Sequence, residues 1–283
     1  MGMKRMIYRI AKLLNHNSFI GIESDAKQEY LIMGKGVAFG KKIGQTIDVP
    51  QDARIYSLKE LTDRGDAREI INSVSPVCLE LANEILREAE AEFGDIDQSI
   101  LFPIADHLDF AIRRLQRGEQ ISNPLTEDIR ILFYKEYKVA GCIAPMLKEK
   151  FQIELDEHET GYIALHVHSA IVDEKVSQAM EIARTVRECI SLVEKETGNS
   201  IDVMSLAYNR LMNHVRYMVA RAIHGEKLKM NLNDYMSVKF PEAFHASERI
   251  CREMEKRLGL PMPDIEIGYL AMHLERMLDS ETE

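Results

Sequence analysis

Apolar positions recur along most of the chain with a helical period. Ile104, Leu108, Ile112 and Leu115 fall at i, i+4, i+8 and i+11, a single stripe that a helix turns toward a core, and Leu211, Val215, Val219 and Ala222 repeat it. A second helix is expected over residues 161–171, with Ile163, Val167 and Ala170 as its stripe. A close copy of it, GYLAMHLERML, lies at residues 268–278. The stretches VAGCIAPMLKEKFQIEL and ASERICREMEKRLGLPM also read as amphipathic helices. The first 60 residues follow another rule. Residues 8–14, 18–23, 29–33 and 54–58 are short runs rich in Ile, Tyr and Leu, separated by the turn formers NHN, SDAKQ and GKGVAFGKKIG. They predict four short antiparallel strands. A sheet of that size can barely bury one face, so it is expected to dimerise.

The helical part is written twice. His107 and His214, Arg114 and Arg221, Gly118 and Gly225, Gly161 and Gly268, Tyr162 and Tyr269, and His166 and His273 are all separated by 107 positions. That period is far too long for a solenoid repeat, so it marks a duplicated domain. The expected architecture is multidomain. A small all-β head with a four-stranded antiparallel sheet occupies residues 1–60, a polar linker LTDRGDARE residues 61–69, and two all-α helical-bundle modules residues 70–172 and 173–283.

Composition narrows the class. At 283 residues and 46% hydrophobic content the chain can bury a real core, and no apolar run approaches the ~20 residues of a membrane span. Cys78, Cys142, Cys189 and Cys251 are widely spaced with no CxxC pair, which fits free thiols in a reducing compartment. The opening MGMKRMIYRIAKLL runs into NHN without a small-residue cleavage site, and cytoplasm is the expected location. Net charge is −10, unevenly spread: residues 1–60 carry ten Lys/Arg against six Asp/Glu, a balance of +4 that leaves −14 on the remainder. A basic head on an acidic body is the distribution expected when the head meets a polyanion.

The head offers matching chemistry. NHN at residues 15–17 supplies amide donors and acceptors in a tight turn, and Gly34 and Gly36 let backbone approach a partner around Lys35. Phe39 follows, beside Lys41 and Lys42. An exposed aromatic can stack on a base while lysines meet phosphates, the manner in which unpaired or shape-distinct RNA is read. The alternative is a glycine-rich hairpin with Phe39 in its core. No helix-turn-helix spacing is visible.

His107, His166, His214 and His273 lie beside the apolar stripes and admit three chemistries besides a purely structural place at a core margin. Metal binding is suggested by HVH at 166–168, but the second copy reads HLE and no cysteine sits at ligand spacing, so no metal or cofactor is expected. Acid-base catalysis lacks any accompanying nucleophile elbow, P-loop, dinucleotide fingerprint or HExxH, so the protein is not expected to be an enzyme. The third is nucleophilic: a neutral imidazole takes a phosphoryl group from another protein and later returns it. Arg114 and Arg221, two turns along from the first histidine of each copy, are candidates to pair with that group. Asp106 precedes His107 whereas Asn213 precedes His214, so an orienting carboxylate at that position is not shared.

The phrases IAKLLNHN, MGKGVAFGKK, ADHLDFAIRR, GYIALHVHSA, MNHVRYMVAR and GYLAMHLERM, in this order, resemble the BglG/SacY-type transcriptional antiterminators over essentially the whole chain. The resemblance implies a co-antiterminator RNA-binding domain that dimerises, followed by two PTS regulation domains. Such a homodimer clamps an RNA hairpin in a nascent leader mRNA and keeps an overlapping terminator from forming. Carried over by position, RNA contacts fall on Lys12, Asn15, Asn17, Gly34, Lys35 and Phe39. His16 stands where the family often has a third Asn and Lys35 where it often has Arg, and Lys cannot make a bidentate guanidinium contact. Phosphorylation falls on His107 and His166 in the first regulatory domain and His214 and His273 in the second. The implied partners are HPr and a sugar-specific enzyme II of the phosphotransferase system. His168 has no counterpart in the second copy and is expected to be structural. A PTS-regulated DNA-binding activator is the alternative from another class.

Overall fold

The structure, a computed structural model, describes residues 7–23, 27–59, 61–62, 65–172, 174–198, 201, 205–226, 228–259 and 261–279. Strands β1 (Ile7–Asn15), β2 (Ser18–Glu23), β3 (Glu29–Met33), β4 (Thr46–Asp48) and β5 (Arg54–Ser57) form one antiparallel sheet in the order β4-β1-β2-β3-β5. The four expected strands are present. The additional strand, β4, is only three residues long and sits at the edge of β1, with Ile47 paired to Tyr8 and buried between two exposed neighbours. A run that short carries too little alternation to register against the glycine-rich loop before it.

One face of the sheet closes over Tyr8, Ile10, Phe19, Ile32, Val37, Ala38 and Ile47. The opposite face carries Leu31 beside Tyr56, both buried. Tyr56 meets the Phe102 ring at a centroid distance of 6.4 Å and donates its hydroxyl to Asn83 Oδ1 at 2.7 Å. Helices of the first module therefore supply, within one chain, the packing that a lone small sheet lacks.

A two-residue-stranded hairpin, β6 (Leu61–Thr62) and β7 (Gly65–Asp66), leads into α1 (Ala67–Ser73). Part of the expected linker, residues 63 and 64, and the expected module boundary at residue 173 lie outside the described residues. Helix α2 (Pro76–Phe93) is capped by Ser75, with Pro at its start where the missing N–H costs nothing. Then follow α3 (Leu101–Leu115), α4 (Thr126–Leu132), α5 (Tyr134–Ala140), α6 (Ala144–Phe151) and α7 (Glu157–Ile171). The second copy is built from α8 (Val176–Thr197), α9 (Leu206–His224), α10 (Asn233–Lys239), α11 (Pro241–Leu258) and α12 (Ile265–Asp279). One difference between the copies has a local cause. Where α11 runs unbroken, the equivalent stretch of the first copy divides into α5, a 3₁₀ turn over Gly141–Ile143, and α6. Gly141 and Pro145 stand there, and proline cannot supply the N–H that a continuous helix needs.

The chain forms two compact units, residues 1–122 with 135–175, and residues 123–134 with 176–283. Helix α4, although written in the first copy, belongs to the second unit. Arg216 donates to the Leu132 carbonyl at 3.0 Å and lies over the Phe133 ring at 5.1 Å. All four cysteines are free, and no described helix is long and apolar enough to cross a membrane.

The repeated glycine has a packing role that Gly268 makes explicit. A Cβ there would lie 2.9 Å from the Asn233 backbone nitrogen and 2.9 Å from the Leu232 carbonyl carbon, and the Gly268 N–H donates to Asn233 Oδ1 at 3.0 Å. Gly268→Ala is expected to destabilise the protein by about 1–3 kcal/mol through overpacking against backbone that cannot yield. Urea unfolding of the variant against wild type measures this, and equal midpoints would show that α12 has room at its start.

Candidate functional sites: two histidine pairs and the tip of the sheet

Each helical copy brings its two candidate histidines together across two helices. His107 on α3 and His166 on α7 stand with ring centroids 5.3 Å apart, tilted by 49°. His214 on α9 and His273 on α12 stack more closely, at 4.6 Å and 24°. A tyrosine flanks each first histidine, Tyr162 at 6.1 Å from His107 and Tyr269 at 6.2 Å from His214. The spacing of 107 residues is thus a spacing of sites.

A buried carboxylate underlies each pair. Asp156 caps α7 by accepting from the Glu159 N–H at 2.8 Å, which starts the helix so that the Glu159 side chain faces α3. Glu159, 0% exposed, forms an ion pair with Arg114, and its second oxygen lies 3.2 Å from His107 Nε2, out of line for a full hydrogen bond. Burial pushes the Glu159 carboxyl up, but His107 and Arg114 together outweigh it and hold the group below the ordinary carboxylate range. In the second copy Glu266, also buried, takes Arg221 in a two-point grip: Nε to Oε1 at 2.7 Å and Nη2 to Oε2 at 2.8 Å.

The two candidate phosphoryl-pairing arginines are therefore already held by glutamates. Arg114 also donates to the Glu119 carbonyl at 3.2 Å, while its Nε is buried without an acceptor. Glu159 and Glu266 are separated by the same 107 positions as the histidines. They were the signal missed in the sequence, since the matched phrases begin two residues later, at the glycines.

Because Glu266 is committed to Arg221, His214 Nε2 is left buried without a hydrogen-bond partner. Burial, with the nearby His273 and Arg221, pushes the His214 pKa down to about 3, and burial likewise lowers His273. His214 is consequently a neutral imidazole at physiological pH, the nucleophilic form. His168 is unlike the four. It is buried, with Nδ1 3.0 Å from Glu136 Oε1 and Nε2 3.6 Å from Glu174 Oε2. Residues two apart on a helix face nearly opposite ways, so HVH does not converge on one point. Among the described residues no group of three or more His, Cys, Asp or Glu side chains is arranged to hold a metal.

The second site is one end of the sheet, where the β1–β2 turn meets the loop after β3. The Gly34 N–H donates to the Asn17 carbonyl at 2.9 Å and the Ala38 N–H to the His16 carbonyl at 3.0 Å. Asn15 Oδ1 accepts from the Asn17 N–H at 2.8 Å and Ser18 Oγ at 2.9 Å, and Asn17 Oδ1 accepts from the Gly36 N–H at 2.8 Å. Both amide oxygens are thereby turned inward, and both NH₂ groups outward. Gly36 has φ +67°, a conformation that favours glycine, while Gly34 packs where a Cβ would meet Ala53 Cβ at 3.2 Å. Phe39 is 68% exposed, in edge contact with His16 at 5.4 Å, and Lys35, Lys41 and Lys42 are exposed around it. The core alternative for Phe39 does not hold. Lys12, Asn15 and Asn17 face the first helical module, with Lys12 Nζ 2.7 Å from Asn72 Oδ1.

Residues 8–64 match the CAT RNA binding domain family, and residues 69–170 and 187–277 each match the PRD domain family. Transcription antiterminator LicT from Bacillus subtilis is 27% identical over 274 residues, spanning 95% of this chain and 99% of the relative. Beta-glucoside operon antiterminator from Dickeya chrysanthemi is 26% identical over 275 residues, 95% of this chain and 96% of the relative. The crystal structure of GlcT CAT-PRDI, at 26% identity, covers 59% of this chain and 99% of that one with a TM-score of 0.49.

The asymmetry between the copies sets a pH dependence. A histidine whose pKa falls on folding takes its proton first in the unfolded chain, so its stabilising contribution is present above about pH 6.5 and is lost as pH falls toward 3. The loss approaches about 1.4 kcal/mol per pH unit for one such group. His214 is expected to remain neutral by NMR at pH 5, and the drop in unfolding free energy from pH 7 to 5 to shrink in His214→Gln. A His214 that titrates near 6.5 would contradict the geometry. Glu266→Ala, which leaves Arg221 without its partner, is expected to cost about 3–5 kcal/mol in urea unfolding.

Proposed function

The chain belongs to the family that joins a CAT RNA-binding domain to PRD domains, and on that footing we propose that it is an RNA-binding transcriptional antiterminator. It binds a hairpin in a nascent leader mRNA and prevents the overlapping terminator from forming. The observation that carries this reading is the tip of the sheet: an exposed Phe39 in one loop with exposed Lys35, Lys41 and Lys42, and beside it the amides of Asn15 and Asn17, whose NH₂ groups point toward α2. An aromatic face, cations and amide donors on one surface suit unpaired bases and phosphates. A DNA-binding activator of the helix-turn-helix kind would need a recognition helix for the major groove, and the described residues of the head form strands and turns.

Control is by reversible phosphorylation at His107, His166, His214 and His273. An imidazole nitrogen attacks the phosphorus of a donor's phosphohistidine or phosphocysteine, the donor's P–N or P–S bond breaks, and the donor leaves in its unphosphorylated form. HPr and a sugar-specific enzyme II are the donors, and the cytoplasm is the site of action. A phosphoryl group on His107 would arrive beside Glu159 and compete with it for Arg114, and one on His214 would do the same at Arg221 and Glu266. Nearly two added negative charges next to a buried carboxylate are repelled, so the ion pair that joins the two histidine-bearing helices of the module must rearrange.

The output is dimer geometry. Two heads held on one hairpin bind far better than one, because the second contact becomes intramolecular. The working division is a head over residues 1–60, a linker over 61–69 and regulatory modules over 70–172 and 173–283.

The test is RNA capture by the full chain. Phe39→Ala and Asn17→Ala are each expected to weaken binding to the leader hairpin by about tenfold or more, at ~1–3 kcal/mol for a lost base stack. Duplex DNA of the same sequence should not compete. Tighter binding to the duplex than to the hairpin would overturn the reading. Mass spectrometry after incubation with phosphorylated HPr and enzyme II should find phosphate on the four histidines, and on none of them after all four are changed to alanine.

A further inference from the structure

We propose that helix α2 of the first helical module carries a built-in competitor for RNA, the Glu80 carboxylate, which occupies the same amide donors that a transcript would need. The inference rests on the reading of Asn15 and Asn17 as RNA contacts. Glu80 Oε1 accepts from Asn15 Nδ2 at 3.0 Å and from Asn17 Nδ2 at 2.9 Å, while Lys150 on α6 holds Glu80 Oε2 at 3.0 Å. Lys12, the third member of the set on this side, is engaged by Asn72 at 2.7 Å. The contact is specific in its geometry. Internal hydrogen bonds fix both asparagine oxygens inward, so the NH₂ groups are the only amide atoms offered outward, and both are spent on one carboxylate oxygen.

A carboxylate is an anionic acceptor, as a phosphate is, and base edges also present acceptors to such donors. Glu80 and RNA therefore cannot hold these donors together. Burial pushes the Glu80 carboxyl up, but the hydrogen bonds from Asn17, Lys150 and Asn15 outweigh it, so the group stays ionised at neutral pH. The neighbouring contacts brace the arrangement: Arg54 is paired with Glu90 and donates to Gln98 Oε1 at 3.0 Å, and Tyr56 donates to Asn83. The other half of the tip, with Phe39, Lys35, Lys41 and Lys42, stays exposed. A transcript can thus engage the open half first and must then displace Glu80 to complete the site. The closed form has reduced affinity, and whatever loosens α2 from the sheet raises it.

The experiment uses the full chain and an RNA hairpin selected in vitro by the wild-type protein from a pool with randomised loops. Glu80→Ala is compared with Glu88→Ala, which removes one negative charge from the same helix at an exposed position. Glu80→Ala is expected to bind the hairpin about tenfold more tightly, Glu88→Ala to stay within about twofold of wild type, and Asn17→Ala to lose binding in either background. Circular dichroism confirms that each variant is folded, and Glu80→Gln serves as the second variant if alanine perturbs α2. Equal affinities for the two glutamate variants, with Asn17→Ala still impaired, would overturn the competitor and leave RNA binding standing. No effect of Asn17→Ala, or failure to select any hairpin, would overturn the RNA-contact reading and this proposal with it.

Discussion

Each helical module turns on one buried ion pair between its two histidine-bearing helices, α3 with α7 and α9 with α12: Glu159 with Arg114, and Glu266 with Arg221. A carboxylate removed from water is tolerable only when paired and hydrogen-bonded, so the pair fixes how the two helices face each other. The histidines ride on those helices. His107 and His166, or His214 and His273, can meet only while the glutamate and arginine two turns away remain together. Ionic pairing therefore positions the imidazoles, and any charge placed on an imidazole acts back on the pairing.

The two copies spend the same carboxylate differently. Glu159 divides its oxygens between Arg114 and His107, whereas Glu266 gives both to Arg221 and leaves His214 Nε2 without an acceptor. The closer stacking of His214 on His273 is the geometric counterpart of that unshared carboxylate. Burial lowers the pKa of both imidazoles of the second pair, while His107 in the first lies beside the Glu159 carboxylate.

The helices of both modules were legible in the sequence because their apolar stripes are long and regular: Ile104, Leu108 and Ile112 are all buried, as are Leu211, Val215 and Val219. The duplication was legible because glycines, tyrosines and histidines share one offset. Three features were not. Strand β4 is too short to carry a period. Helix α4 is written in the first copy yet packs in the second unit, a choice made by residues of α8 and α9 such as Arg187 and Arg216. Glu159 and Glu266 look like ordinary acidic residues at helix starts, and only tertiary structure turns their side chains onto an arginine and, for Glu159, beside a histidine. At the tip, sequence identified the asparagines and Phe39 but could not orient the amides, since their direction is set by backbone N–H groups on another loop.

The charge asymmetry also changes meaning once the contacts are known. A head of +4 beside a body of −14 points, by itself, to a head that alone meets a polyanion. The body is itself a source of anions for the head: Glu80 takes two amides and Glu90 takes Arg54. In a chain that reads RNA through amides and cations, an acidic regulatory body is a competitor tethered at high effective concentration. Its carboxylates need only modest affinity, because they never diffuse away. A change in how firmly α2 is held against the sheet then alters the head without contacting RNA at all.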